Sequence, residues 1–368
     1  MAKLLMITSL GSAMDLASGK QGAFYNTLEE FHQYWERIDI IAPKIKNHSS
    51  KVQELFGNVY VHISPWPLIW HPFWFLKKGL ELFKKEKFDL MTVQEFPPFY
   101  NGIGARLLWN KIKVPYVLEI HHIPGYPRAA GRKESFYRYL LKTFIKWDSA
   151  KVVAVRVVNQ NQVPSFLKNS GVPADKIKYI PSLYIDLETF RPTSLEKEYD
   201  LIFIGRLVEN KGIILFLETV KRLGVKALIV GDGPLVKDIK LKIEKWKLKI
   251  NFHGWAKDAK EIAGLLNRAK ILVMPSYNEG GPRVVAEALA CGVPVLATLV
   301  GLMPDFAKEG AVKIINWDAD DIVKKAQELL ENQQLYEQYR QAGLTLVQKF
   351  EKKSVIENYA EQLKKFVK

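Results

Sequence analysis

The sequence predicts an α/β protein of two successive domains, each a parallel sheet covered by helices on both faces. Three observations carry this. Short continuous apolar runs alternate with amphipathic stretches along the chain, the pattern of strands buried on both faces. The alternation restarts after a proline-flanked stretch, Pro181–Pro192. The 368 residues, 48% of them hydrophobic, exceed one average domain and suffice for two cores.

Lys3–Thr8 reads as a first buried strand and Gly11–Gly22 as a loop. A helix is expected over Ala23–Arg37, then a strand at Ile38–Ala42. Apolar runs at Val59–Ile63, Leu90–Val93, Tyr116–Ile120, Val152–Val158 and Ile177–Ile180 continue this unit, with helical patterns between most of them. The second unit opens at Tyr199–Ile204. Its later strands fall at Lys226–Val230, Ile250–His253, Ile271–Met274, Val293–Ala297 and Val312–Ile315. Amphipathic helices over Asp320–Glu331, Gln334–Phe350 and Ser354–Val367 finish the chain. The expected domains are therefore residues 1–185 and 190–350, with the last helix (352–368) packing back on the first. Two Rossmann-like domains facing each other place a cleft between the carboxyl ends of their strands.

Composition excludes several classes. A single cysteine, Cys291, rules out an intrachain disulfide and a cysteine-based zinc cluster, and its place at a helix end reads as packing. No apolar run approaches the length that spans a bilayer, and Leu4–Leu10 is too short for a secretory signal, so a cytoplasmic location is expected. The net charge of +15 is uneven. Residues 1–185 hold 25 Lys and Arg against 14 Asp and Glu, while the remainder holds 29 against 25. The basic half suits an anionic lipid surface, nucleic acid or a phosphorylated substrate. Nucleic acid ranks below lipid, because no nucleic-acid motif accompanies the charge.

Six stretches bear on the chemistry. Glu279-Gly280-Gly281-Pro282 is a glycine-rich turn opening a helix that carries Glu287 and closes at Gly292. Such a turn offers unpaired N–H groups and a positive dipole end to an anionic or hydroxyl-rich ligand, although two exposed helix acids read equally well from the residues alone. Gly205-Arg206, with Lys211-Gly212, follows a strand; its two cations can converge on one diphosphate or simply solvate a loop. Gly231-Asp232-Gly233-Pro234 is a turn at a strand end, and Trp255 follows the next strand, where it can stack on a base or serve as a core or lid residue. His121 and His122 sit at the carboxyl end of a strand, the functional rim of a parallel sheet. Gly11 to Gly22 has neither the Walker A nor the G-x-G-x-x-G spacing, which disfavours a nicotinamide oxidoreductase.

Together these stretches resemble the retaining glycosyltransferases of family GT4, which have the GT-B fold. The resemblance covers nearly the whole chain and is strongest over residues 200–300. It implies metal-independent transfer of a sugar from a UDP- or GDP-sugar donor to an acceptor hydroxyl, with no cofactor. It assigns Arg206 and Lys211 to the donor diphosphate, Glu279 with the turn Gly280-Gly281-Pro282 to the sugar, and Glu287 to the ribose. Gly205, Gly233 and Trp255 would border the nucleotide. Gly19 and Gly22 would belong to a glycine loop closing over the donor phosphates, and a histidine would lie near the reacting sugar, His121 being favoured over His122. Glu279, His121, Arg206 and Lys211 form the implied catalytic set. Asp305 stands where the family usually has Glu, and Ser182-Leu183 replaces a usual Asn-Gly. Asp318-Ala319-Asp320 mimics a metal-binding D-x-D but reads as a helix N-cap.

Two basic-aromatic stretches, Trp66 to Lys78 and Arg132 to Trp147, either pack their rings in the core or lie against a membrane headgroup zone. The expected acceptor is a lipid-linked or cell-envelope glycan, met at the inner face of a membrane. A nucleotide-sugar epimerase, a sugar phosphorylase and a non-catalytic membrane-surface binding protein are the competing readings.

Overall fold

The computed structural model describes residues 1–17, 22–45 and 52–367. The first unit runs β1 (Lys3–Ile7), α1 (Leu10–Ala17), α2 (Ala23–Phe31), β2 (Arg37–Ala42), β3 (Gln53–Leu55), β4 (Val59–Ile63), α3 (His71–Glu86) and β5 (Leu90–Gln94). It continues through α4 (Tyr100–Ile112), β6 (Tyr116–Ile120), α5 (Arg132–Asp148), β7 (Ala154–Val157), α6 (Gln162–Asn169) and β8 (Ile177–Tyr179). Its strand order is β3-β4-β2-β1-β5-β6-β7-β8, parallel except for β3. Strands β1, β5, β6 and β7 are almost wholly buried, as a sheet covered on both faces requires.

The second unit runs β9 (Tyr199–Ile204), α7 (Ile213–Leu223), β10 (Ala227–Val230), α8 (Val236–Lys245), β11 (Ile250–Gly254), α9 (Ala259–Asn267) and β12 (Ala269–Met274). After it come α10 (Arg283–Ala290), β13 (Val295–Thr298), α11 (Met303–Lys308), β14 (Val312–Ile315), α12 (Ala319–Glu331) and α13 (Gln333–Val347). The all-parallel order β11-β10-β9-β12-β13-β14 is the doubly wound Rossmann order. The last helix, α14 (Lys352–Lys364), returns to the first unit. Val355, Ile356, Tyr359 and Leu363 enter its core, where the Tyr359 ring stacks on Phe31 at 4.8 Å. The two chain crossings are tied together, since Ile185 N donates to the Phe350 carbonyl at 2.7 Å and Lys352 N to the Ile185 carbonyl at 3.0 Å.

Two sequence expectations are corrected. Gly11–Gly22 is not a loop throughout, because α1 occupies Leu10–Ala17 and buries Ala13 and Leu16 one turn apart. The helix from Ala23 stops at Phe31, not Arg37. The Asn58 amide donates to the carbonyls of His32 and Trp35, both at 3.0 Å, and Arg37 pairs with Lys3 in the sheet. Strand β3 was not anticipated; exposed Glu54 between half-buried Gln53 and Leu55 leaves no apolar run to read. Asp318 does cap a helix, its carboxylate accepting from Asp320 N and Asp321 N.

Candidate active site

In a doubly wound sheet, ligands bind outside the carboxyl ends of the strands where the strand order reverses. The second unit reverses between β9 and β12. The segment after β9 is Gly205–Gly212 and the segment after β12 is Pro275–Pro282, so the fold brings Arg206, Lys211 and Glu279 to one crevice. Lys211 Nζ and a Glu279 carboxylate oxygen form an ion pair there, both side chains mostly buried. Arg206 beside them is exposed. The floor is glycine of necessity. Gly231 and Gly233 have φ of 146° and 156°, and a Cβ on either would overlap the carbonyl oxygens of Gly205 and Leu207. Leu207 N donates to the Asp232 carbonyl at 2.8 Å, which locks the β9 and β10 turns together.

Glu287 projects from the fifth position of α10 and is 9% exposed. Burial raises its carboxyl to about 7, with Arg283 opposing. Arg283 itself leans over the Tyr184 ring at 4.5 Å. An acid kept partly neutral by burial costs stability. Its folded pKa lies above the ordinary 4.5, so the native state loses stability as pH rises from about 4.5 to 7 and carries the full cost above 7. Glu287→Gln is therefore expected to stabilise the protein at pH 8 by roughly 3 kcal/mol and to be neutral below pH 4.5; urea unfolding at both pH values reads this. Trp255 stands clear at the end of β11, 67% exposed, with its ring face available.

The first unit reverses between β1 and β5, and a crevice of about 340 Å³ opens there. Its polar wall includes Thr8, Ser9, Gln94, Asn101, His121 and His122, and Leu10, Leu68 and Phe96 are among its apolar residues. The two histidines separate. His121 turns toward Glu119, with Nε2 at 3.8 Å from the carboxylate. His122 is lowered to about 4 chiefly by burial, opposed by the charge of Glu279 and reinforced by His121, Lys211 and Arg206. His122 thus feels the charges of the β9/β12 crevice, while His121, the histidine favoured from the resemblance, pairs with Glu119.

The two crevices meet. A Cβ on Gly280 would overlap the His121 carbonyl oxygen and lie 3.2 Å from the His122 Cβ. Gln162 Nε2 donates to the Leu299 carbonyl at 2.6 Å, and Gly301 N donates to Gln162 Oε1 at 2.7 Å. Asp305 is held by Asn161 and by Gln160 N, so it braces the two units. Gly281 packs on Leu302, and Pro282 stands at the N-cap position of α10. Gly22 precedes α2 in extended conformation. Gly19 lies outside the described residues.

Sequence reading missed the buried network behind His121. Glu119 Oε1 accepts from Arg156 Nη1 at 2.8 Å and from Tyr359 Oη at 2.7 Å. Burial would raise Glu119, but Arg156, His121 and Tyr359 outweigh it and hold it at about 2. Arg156 also donates to the carbonyls of Ile180 and Pro181, at 3.1 and 3.0 Å, where the chain leaves the first unit. Asn278 was missed too. It is buried and donates across the cleft to the Arg128 carbonyl at 3.1 Å and to Glu134 at 3.0 Å.

Two doubly wound domains meeting at their strand ends, with cations and an acid at the second switch point, define the GT-B class of sugar-transferring enzymes. The comparisons agree. Residues 24–183 match the model for Glycosyltransferase Family 4, and residues 185–345 match that for Glycosyl transferases group 1. The chain belongs to these GT4-type glycosyltransferases. It is 26% identical over 326 residues to an uncharacterized glycosyltransferase of Methanocaldococcus jannaschii, covering 86% of this chain and 87% of the relative. It is 27% identical over 244 residues to the Escherichia coli UDP-Gal:alpha-D-GlcNAc-diphosphoundecaprenol alpha-1,3-galactosyltransferase, over 59% of each chain. The sucrose-phosphate synthase structure from Thermosynechococcus elongatus superposes with a TM-score of 0.84 at 19% identity, over 99% of both chains. Anabaena HepE in complex with UDP-glucose superposes with a TM-score of 0.76 at 17% identity, over 99% of this chain and 100% of that one.

Proposed function

We propose that the protein is a retaining hexosyltransferase that moves a sugar from a UDP- or GDP-sugar to a hydroxyl of a lipid-linked or cell-envelope glycan at the inner face of a membrane. The observation that carries the donor side is the Lys211–Glu279 pair beside Arg206 at the β9/β12 switch point, within the electrostatic reach of His122. Arg206 and Lys211 take the charge that develops on the departing diphosphate. Glu279 accepts from sugar hydroxyls, and the N–H groups of Gly280 and Gly281 donate to them. Glu287 accepts from the ribose hydroxyls, while Trp255 offers its open ring to the base.

The acceptor hydroxyl enters from the β1/β5 crevice. It attacks the anomeric carbon on the face the diphosphate leaves; the glycosyl–phosphate bond breaks, the new glycosidic bond forms, and the hydroxyl proton passes to the departing phosphate oxygen. His122, held neutral by burial, can hydrogen-bond the sugar without repelling Lys211 and Arg206. HepE supports the donor reading through its UDP-glucose complex, and the E. coli relative supports the acceptor reading through a name that specifies a UDP-sugar and an undecaprenol diphosphate.

Thermal-shift screening against UDP-, GDP- and ADP-sugars tests the donor class, since bound ligand raises apparent stability by mass action. Nuclear magnetic resonance of the product then reads the anomeric configuration; an inverted product would refute retention. Donor affinity should also depend on pH with a definite sign. Ribose hydroxyls favour the ionised Glu287, so Kd is expected to be flat above the free-protein value of about 7 and to rise below it, approaching tenfold per pH unit. Calorimetric titration from pH 5.5 to 8.5 checks this, and Glu287→Gln should flatten the profile.

A further inference from the structure

The segment after β4 turns an entire apolar run outward. Pro65, Trp66, Pro67, Leu68, Ile69 and Trp70 are consecutive exposed residues, and Phe73 joins them from the first turn of α3. Ile69 is 63%, Trp70 55% and Phe73 53% exposed. Pro72, Trp74 and Phe75 of the same stretch are buried, so the outward residues are not what anchors α3 to the core. Isolated exposed apolar side chains are ordinary, but a contiguous ledge marks a surface that meets something.

Beside the ledge lies a hollow of about 280 Å³ lined by His62, Trp66, Trp74, Lys77, Lys78 and Glu81 among others. His62 is buried. Its Nε2 bonds Asp39 at 2.8 Å, and Nδ1 has no hydrogen-bond partner among the described residues. Asp39 is itself bound by Arg37, and Glu81 is shared by Lys78 and Lys85 at 3.0 and 3.8 Å. Lys77 is exposed, and Lys84 and Lys85 continue the basic side of α3. Tryptophan beside lysine is the chemistry of a headgroup zone, whereas the centre of a protein interface is depleted of lysine.

We propose that this face docks the protein on an anionic phospholipid bilayer, Ile69, Trp70 and Phe73 entering the interface and the hollow of His62, Lys77 and Lys78 receiving a lipid phosphate. The charge is complementary, the first 185 residues carrying 25 basic against 14 acidic groups. Leu68 belongs both to the ledge and to the wall of the β1/β5 crevice. Docking therefore presents that crevice to the membrane, a consequence that rests on its reading as the acceptor site.

Co-sedimentation with vesicles tests this without any nucleotide-sugar, so its failure leaves the transferase reading standing, and the converse holds. Vesicles of phosphatidylcholine with about one third phosphatidylglycerol should bind the protein, and phosphatidylcholine alone should bind it at least tenfold more weakly. Ile69→Asp with Trp70→Ser should lower partitioning by at least about tenfold. Lys77→Glu with Lys78→Glu should do the same, at roughly fivefold or more per lysine. Leu241→Asp, an exposed apolar residue on the second unit, should change nothing. Thermal melts establish that each variant folds. As an independent readout, acyl-brominated lipid should quench tryptophan fluorescence in the wild type and less so in Trp70→Phe. Equal partitioning of wild type and the Ile69/Trp70 variant would overturn the proposal. So would self-association through this face without vesicle binding, and charge-insensitive binding would overturn the phosphate hollow.

Discussion

Lys211→Ala is expected to lower kcat for sugar transfer by about 10²–10³, the cost of removing one preorganised partner of a developing anion. The crevice is largely closed to solvent at this point, so Lys211 acts at short range and with little screening. Glu279→Ala should cost a similar factor for a different reason, since the sugar loses the acid that orients it. The two residues form one ion pair, so the double variant should fall well short of the product of the single losses. Steady-state kinetics on the four proteins of this cycle provide the check. Strict multiplicativity would mean that the residues act independently, and unchanged kcat in either single variant would remove the pair from the chemistry.

Gly280→Ala is expected to reduce kcat/KM by about 10²-fold while leaving the fold intact. The added methyl would overlap the His121 carbonyl oxygen, which belongs to the opposite unit. The two residues belong to loops of opposite units, so the clash is expected to be relieved by parting the units. Thermal melting should move by only a few degrees, whereas the catalytic geometry is lost. Small-angle scattering would show a more open envelope for the variant. A large drop in melting temperature with no change in envelope would mean instead that Gly280 serves the fold of its own domain. Gly301→Ala makes the contrast, because its clash is with Gly280 and Glu279 of the same unit and its φ of 57° adds strain.

The two α/β units were legible because parallel strands buried on both faces appear as uninterrupted apolar runs. Val117, Leu118, Leu228 and Ile229 could only be interior. The crevice after β9 and β12 was legible because its residues must be glycine or charged, and those types cluster within short stretches. What stayed hidden was set by contacts between distant positions. Glu119 and Tyr359 meet across 240 residues, and nothing local marks either. Helix α1 was concealed by Gly11 and Ser12, whose preference for loops is overridden by the burial of Ala13 and Leu16. The choice between His121 and His122 could not be read from adjacent positions either. It depends on how each ring is turned, His121 toward Glu119 and His122 against the Phe96 ring.

The basic-aromatic stretch shows the same limit. Trp66, Trp70 and Trp74 fall at helical spacing, and the sequence allowed them to be core or surface. The structure divides them, burying Trp74 and exposing Trp66 and Trp70. The division follows from where α3 begins. His71 opens the helix with Pro72 in its first turn, and Trp70 remains on the approach that never reaches the sheet.

Calorimetric titration of UDP, GDP and ADP into the wild type, Lys211→Ala and Glu287→Ala tests the central claim most directly. One nucleotide should bind the wild type. Its affinity should fall at least about tenfold in each variant, since each loses a charged contact to the diphosphate or the ribose. Binding of that nucleotide with equal affinity to all three proteins, or no binding of any of them to the wild type, would contradict the placement of the donor between β9 and β12.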